Sequence, residues 1–398
     1  MTTGNVGKEQ PASTISRPAT GHRPPARADA TERLARALLA RVTEPGDREL
    51  AALLTRYAAT EIVRDLRRDR LPVTNARHWR TRLSTARPEA DLHAVERLGG
   101  RFIVPGDHEW PAQLDDLGRV PGEYSVPPVG LWLRGAGKLA DADRTIAVVG
   151  SRAATGYGEY VAAEFAIGLA ERGFLVVSGG AYGIDAAAHR GALAGGGATV
   201  AVLACGVDVC YPRGNATLFH RILSTGLLLS EWPPGCAPMR HRFLVRNRVI
   251  AALASGTIVV EAAVRSGALN TANRARELGR HVMAVPGPVT SPLSAGSNQL
   301  LREPDVICIT RADDVVEIVG RLDPSMAPTP GAPPSSARDR LDGVTRRVLD
   351  AVPARRSAGP AGIALAAGLA LPDVLAALGR LAADGLVERT DAGWRVAG

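Results

Sequence analysis

The sequence predicts an α/β fold built on a largely parallel β-sheet. Short apolar runs rich in Val, Ile and Leu recur between Thr145 and Glu261, and each runs out into glycine or small polar residues. They are IAVVGSR at 146–152, FLVVSGGAYGID at 174–185, TVAVLACG at 199–206 and GTIVVEAAVRSG at 256–267. Runs of this kind suit strands buried on both faces, and the glycine exits allow tight turns into helices. Free backbone N–H groups at such helix starts attract anions, and ligands of open α/β sheets gather beyond the carboxyl ends of the strands. Several exits on one sheet edge therefore point to a nucleotide or a nucleic-acid strand.

In chain order, residues 1–30 are rich in Pro, Thr, Ala and Arg without periodicity, which predicts a disordered tail. Residues 31–99 read as a small helical domain: Leu34, Leu38 and Leu39 share one face, and Leu50, Leu53, Leu54 and Tyr57 share another. Residues 100–144 carry short strands broken by Pro and Gly, an extended connector lying against the main domain. The main domain spans 145–320. Its first helix, from Gly156 to Arg172, places Val161, Phe165 and Leu169 on one stripe, and further strands at 227–230, 281–285 and 305–309 bring the count to seven. Residues 321–337 form a Pro-rich linker. Residues 338–398 then predict three helices, the third with Val374, Leu375, Leu378 and Leu381 inward, and a closing hairpin, which together describe a winged helix.

The chain of 398 residues carries a formal charge of +8, and its only lysines are Lys8 and Lys138. Arginine pairs bidentately with phosphate and stacks on bases, so the balance favours a polyanion partner, although a GC-rich coding bias would also produce it. Cys205, Cys210, Cys236 and Cys308 fall at no zinc-site spacing, so no metal is expected. No apolar stretch reaches membrane-span length and no apolar signal core is visible, which predicts a cytoplasmic protein with reduced thiols.

Four places carry candidate chemistry. Gly150, Ser151 and Arg152 leave the first strand, so amides and a guanidinium could meet one phosphate; the alternative is a tight turn with a solvated arginine. The loop Ser178, Gly179, Gly180, Ala181, Tyr182, Gly183, Ile184, Asp185 holds more glycine than one turn needs, which predicts close backbone approach by a ligand. Asp185 could equally cap a helix, and His189 reads as a core histidine. The stretch MRHRFLVRNR at 239–248 lies in a window free of acids from Trp232 through Val260. At helical spacing Arg242 and Arg246 share a face, as do His241 and Arg248, and Phe243 can offer a ring to a base. A solvated basic face is the competing reading. Glu261, followed by Ser266, Gly267 and Thr271, marks a third phosphate-sized cradle, with Glu261 either a base or a buried partner for an arginine. No Walker lysine, nucleophile elbow, HExxH pair or GxGxxG at a strand exit occurs, so no catalytic set and no cofactor are predicted.

Taken in order, VVGSR, SGGAYGIDAAAHRGAL, TVAVLACGVDVCYPRGN, GLLLSEWPPG, FLVRNRVIAALASGTIVVEA, SGALNTANRA, GRHVMAVPG and SNQL resemble the DNA-processing protein A family, DprA or Smf, over about 100–320. The resemblance implies an extended Rossmann-like centre flanked by a helical N-terminal domain and a C-terminal winged helix. It further implies a homodimer that is no enzyme, binds single-stranded DNA, shields incoming strands in natural transformation and loads the recombinase RecA. On that basis Gly150, Ser151, Arg152, the loop from Ser178 to Asp185, Arg246, Asn247, Arg248, Ser266 and Gly267 would lie along the DNA groove. Two positions depart from the family pattern: Tyr182 replaces an arginine and Ala198 a lysine, each an expected groove cation. The rival class is a nucleotide-processing hydrolase on a related fold, using Glu261 and Arg152.

Overall fold

The computed structural model describes residues 29–122, 124–139, 144–320, 341–354 and 356–397. The chain divides into two compact units, with the break between Arg321 and Leu322.

The larger unit begins with five helices, α1 (Ala30–Val42), α2 (Arg48–Leu54), α3 (Ala59–Arg67), α4 (Ala76–Leu83) and α5 (Pro88–Arg97). Asp29 and Asp47 cap α1 and α2 by accepting from the Glu32 and Glu49 amides. Their apolar faces bury Leu38, Leu39, Leu50, Leu53, Ile62, Leu66 and Trp79 in one cluster. Tyr57 is exposed rather than inward, because α2 ends at Leu54 and the helical spacing stops there.

The sheet follows: β1 (Gly100–Ile103), β2 (Leu131–Arg134), β3 (Thr145–Val149), α6 (Gly156–Glu171), β4 (Leu175–Ser178), α7 (Ile184–Ala194), β5 (Thr199–Leu203), α8 (Ala216–Thr225), β6 (Leu227–Ser230), α9 (Arg240–Leu253), β7 (Gly256–Val259), α10 (Gly267–Glu277), β8 (His281–Ala284), α11 (Ala295–Leu300), β9 (Val306–Cys308) and α12 (Ala312–Val319). Nine strands lie in the order β1-β2-β6-β5-β4-β3-β7-β8-β9. The seven from β3 onward are parallel, whereas β1 and β2 extend the β6 edge antiparallel. The connector thus forms part of the sheet, and α1 and α5 pack on its end through Ala37, Val95, Phe102 and Trp132.

Alternate residues of the central strands point to opposite, equally buried faces. Ile146, Val148, Val176 and Ile258 meet Phe165 and Leu169 of α6 on one side, while Ala147, Val149, Val177 and Val202 meet α9 on the other. The chain builds outward from β3 in one direction through β4, β5 and β6, then returns to lay β7 on the other side of β3. The carboxyl ends of β3 and β7 therefore flank the topological switch point, where sheets of this kind hold ligands.

The smaller unit packs α13 (Gly343–Ala351), α14 (Pro360–Ala367) and α15 (Leu371–Ala383) with a hairpin of β10 (Val387–Thr390) and β11 (Gly393–Val396). Val348, Ile363, Val374, Leu378 and Leu381 form its core. Leu375 departs from the sequence reading and faces solvent; Ala377 takes the inward place beside Val374 and Leu378.

Candidate nucleic-acid interface

The site is built from four strand exits at the carboxyl edge. Beyond β3, a Cβ at Gly150 would lie 2.5 Å from Ile184 Cγ1 and 2.8 Å from the Glu261 carbonyl, so only glycine fits. The Ser151 amide donates to the Glu261 carbonyl at 2.6 Å, and the Ser151 carbonyl accepts from the Ile184 amide at 3.2 Å. Ser151 is therefore a buried brace between three segments, and its own N–H is already engaged. Arg152 is the first exposed side chain past the turn. Its guanidinium lies 4.6 Å over the Phe243 ring, whose far neighbour is Tyr211 at 5.8 Å between centroids. It makes no ion pair among the described residues.

The glycines of the Ser178–Asp185 loop have packing reasons, which corrects the reading that a ligand requires them. A Cβ at Gly179 would overlap the Arg246 guanidinium, one at Gly180 would press on Phe219, and Gly183, at φ 70°, backs onto the carbonyls of Ser151 and Arg152. Ser178 is buried and its hydroxyl donates to the Val148 carbonyl at 2.6 Å. Asp185 caps its own loop by accepting from the Ala181 amide at 3.3 Å. Tyr182 stands at the rim, its hydroxyl accepting from the Gly214 amide at 3.2 Å.

Beneath this loop is a layer of buried charge. Arg246 donates to the Val202 carbonyl at 2.5 Å, and burial holds its pKa down at about 10 against the opposing pull of Asp185. Burial raises the Asp185 carboxyl in turn, with Arg246 and the Ala181 amide acting the other way. His189, fully buried with Nδ1 2.7 Å from the Thr199 hydroxyl, is pushed down to about 3 by burial and by Arg246, and is neutral at physiological pH. Burial also pushes the Cys205 thiol up to about 12, which keeps it protonated and inert.

Helix α9 overturns the picture of a basic face. Arg242, Arg246, Asn247 and Arg248 are all buried, because the helix is covered on most of its circumference. Arg242 donates to the Ala237 carbonyl and to Glu44, both at 2.9 Å, and Asn247 donates to the Gly267 carbonyl at 3.2 Å. Arg248 is fully enclosed and pairs with buried Glu231 at 2.6 Å. The solvent-facing residues are instead Arg240, His241 and Leu244.

Glu261 is neither an accessible base nor a partner of arginine. Its carboxylate is sealed in, accepting from the Thr155 amide at 2.9 Å and the Thr155 hydroxyl at 2.7 Å, and Gly158 makes room for it. Ser266 caps α10 by accepting from the Ala268 amide at 3.2 Å, and Gly267 is exposed. Ala198 precedes β5 at the amino edge, opposite the site, and packs on the core, so no groove cation is missing there.

The fold thus gathers Arg152, Gly179, Gly180, Tyr182 and Phe243 around one groove, together with Tyr211, Pro212 and Pro238, which the sequence reading missed. The available signal was an aromatic residue in a Pro- and Gly-containing loop after a strand. Among the described residues no cluster of His, Cys, Asp or Glu could hold a metal ion, and no single helix is long and apolar enough to cross a membrane.

Comparison with known proteins decides the family. The sequence profile of DNA recombination-mediator protein A matches residues 101–320. The chain belongs to that family, known as DprA. A Mycobacterium tuberculosis protein named as a DNA processing protein DprA is 48% identical over 90% of this chain and 93% of its own length. Protein Smf of Escherichia coli is 40% identical over 54% of this chain and 56% of its own. The X-ray structure of DprA from Streptococcus pneumoniae superposes with a TM-score of 0.59 at 32% identity, covering 73% of this chain and 98% of that one. The match over 101–320 takes in the nine-stranded sheet but for Gly100 at the start of β1, and the exits that frame the groove of this DprA-family chain.

Proposed function

We infer that this DprA-family chain binds single-stranded DNA at the carboxyl edge of its sheet, performs no chemistry on it, and delivers it to a recombinase of the RecA class during transformation or recombination. The observation that carries the reading is the groove in which Arg152, free of any carboxylate partner, lies over Phe243 beside Tyr211 and Tyr182. An unpaired guanidinium meets phosphate, and rings lining the same groove offer surface for stacking to unpaired bases of any sequence. A duplex keeps its bases stacked and offers none. Recombinase loading, a homodimer and a cytoplasmic setting rest on the family pattern.

The hydrolase reading loses its base, since Glu261 is enclosed. The smaller unit, in which Arg380 lies 3.7 Å from Asp342, fits a winged helix that docks protein or regulates better than one that reads DNA. The test is titration of labelled single-stranded and duplex oligonucleotides across a salt series, alongside incubation with nucleoside monophosphates. Preference for the single strand with a steep salt slope and no base release is expected. Equal affinity for duplex, or base release, would overturn the reading.

A further inference from the structure

Among the described residues five aromatic side chains are exposed, all of them tyrosines, and four rise from the carboxyl side of the sheet: Tyr157, Tyr160, Tyr182 and Tyr211. The last two line the groove already described. Tyr157 and Tyr160 do not. They sit three residues apart in the first turns of α6, on its solvent side, 41% and 65% exposed. In a chain with only 4% aromatic residues, such rings in water call for a partner.

The first ring is held in place. The Tyr157 hydroxyl donates to the Pro286 carbonyl at 2.7 Å, and the loop beyond β8 that carries Pro286 is pinned by Asn298, which accepts from the Gly287 amide and donates to the Gly287 carbonyl, both at 3.0 Å. A side chain at the preceding Gly156 would meet nothing within 4 Å, so Tyr157 is left unshielded on that flank. Tyr160 makes no hydrogen bond among the described residues and presents its ring freely. Two carboxylates lie near the rings on the same helix: Glu159, which pairs with Arg190 at 3.5 Å, and exposed Glu164 one turn beyond Tyr160.

We propose that Tyr157 and Tyr160 form a second stacking platform for unpaired bases of single-stranded DNA, extending its path from the Arg152 groove across the ends of β3 and β7 toward β8. The proposal rests on the functional reading above and commits to a nucleic-acid strand because the rings lie on the same sheet edge as the groove. From β3, where the groove's Arg152 stands, to β8 there are two strand-to-strand steps, so the added path is about 10 Å and the whole path from β5 about 19 Å. A short oligonucleotide fills the groove alone, and a longer one reaches the tyrosines.

The experiment uses the full chain and labelled thymidine oligomers of about 4 and about 16 nucleotides. Tyr160→Ala and the double variant Tyr157→Ala/Tyr160→Ala are compared with the ring-keeping pair Tyr157→Phe/Tyr160→Phe. The double alanine variant is expected to lose about tenfold in affinity for the long oligomer and nothing for the short one. Its salt slope should stay that of the unaltered chain, since stacking neutralises no phosphate, and the Phe pair should restore affinity. Tyr160→Ala, which removes no hydrogen bond, gives the single-ring loss should the double variant fold poorly. Equal loss on both lengths, a shallower salt slope, or full affinity for the long oligomer would each overturn the platform. Full affinity joined to a smaller sedimenting species would assign the rings to a contact between copies. Absence of single-strand binding by the unaltered chain would sink the functional reading and the platform together, which separates the two failures.

Discussion

Arg248 and Glu231 meet at 2.6 Å in the interior, and one carboxylate oxygen of Glu231 and two guanidinium nitrogens of Arg248 find no further protein partner among the described residues. Removing one member leaves the other charge buried and unpaired, so Arg248→Ala should destabilise by about 3–5 kcal/mol in chemical denaturation. Arg152→Ala should do the reverse: folding unchanged, single-strand affinity about tenfold weaker and the salt slope smaller by roughly 0.7. Unaltered affinity in that folded variant would take Arg152 out of the interface. The sequence alone does not distinguish these two arginines: the acid-free window from Trp232 through Val260 reads as an accessible Arg248, on the DNA groove or on a solvated basic face. What separates them is a distant partner: Glu231 reaches Arg248 across the fold, whereas Arg152 has no ion pair among the described residues. His189 carries a pH prediction of its own. Its folded pKa of about 3 lies below the unfolded value, so the unfolded chain binds the extra proton and stability falls as pH drops from about 6.5 toward 3. Between pH 7 and pH 5 the loss should be about 2 kcal/mol, and His189→Asn should remove that share when the two denaturation series are compared.

At the scale of elements, the parallel strands and helices were legible because buried strands leave continuous apolar runs and glycine marks their ends. The sheet membership of β1 and β2 was not, since a short edge strand flanked by Pro and Gly reads like a connector. The glycine loop was legible as a special place and misread as to cause. Gly179 clears Arg246, which lies more than sixty residues later in the chain and is invisible to a local reading. Gly179→Ala should therefore push the guanidinium off the Val202 carbonyl and cost about 1–3 kcal/mol, measured as a shifted denaturation midpoint. A midpoint unchanged from the parent would mean that Arg246 finds another berth at no cost. The groove itself was half legible: Arg152, Tyr182 and Phe243 stood out, but Tyr211 meets them only through the turn after β5.

For the whole molecule, the break at Arg321 and Leu322 separates two units with their own cores. Deleting residues 322–398 should leave the larger unit folded and its single-strand affinity within about tenfold of the full chain at matched salt. From Arg338 onward the sequence has nine arginines against seven acids, too even a balance for a domain that holds phosphates. A greater loss on truncation would place DNA contacts there.

The strand order also has a bearing on how the chain is made. β3 lies at the middle of the nine-stranded sheet, yet its second neighbour, β7, begins at Gly256, more than one hundred residues after β3 ends. Until β7 emerges from the ribosome, strands β3 to β6 can associate without it, and β3 is then an edge with a full row of unpaired amides and carbonyls and apolar side chains on both faces. Non-local parallel pairing is slow to close, and an open edge of that length is a template for another nascent chain. Emergence of β7 converts the stickiest border of the half-made protein into its most protected interior seam. A message truncated just before Gly256 should accordingly yield a product that aggregates or is held by chaperones, whereas one extended through β9 should not.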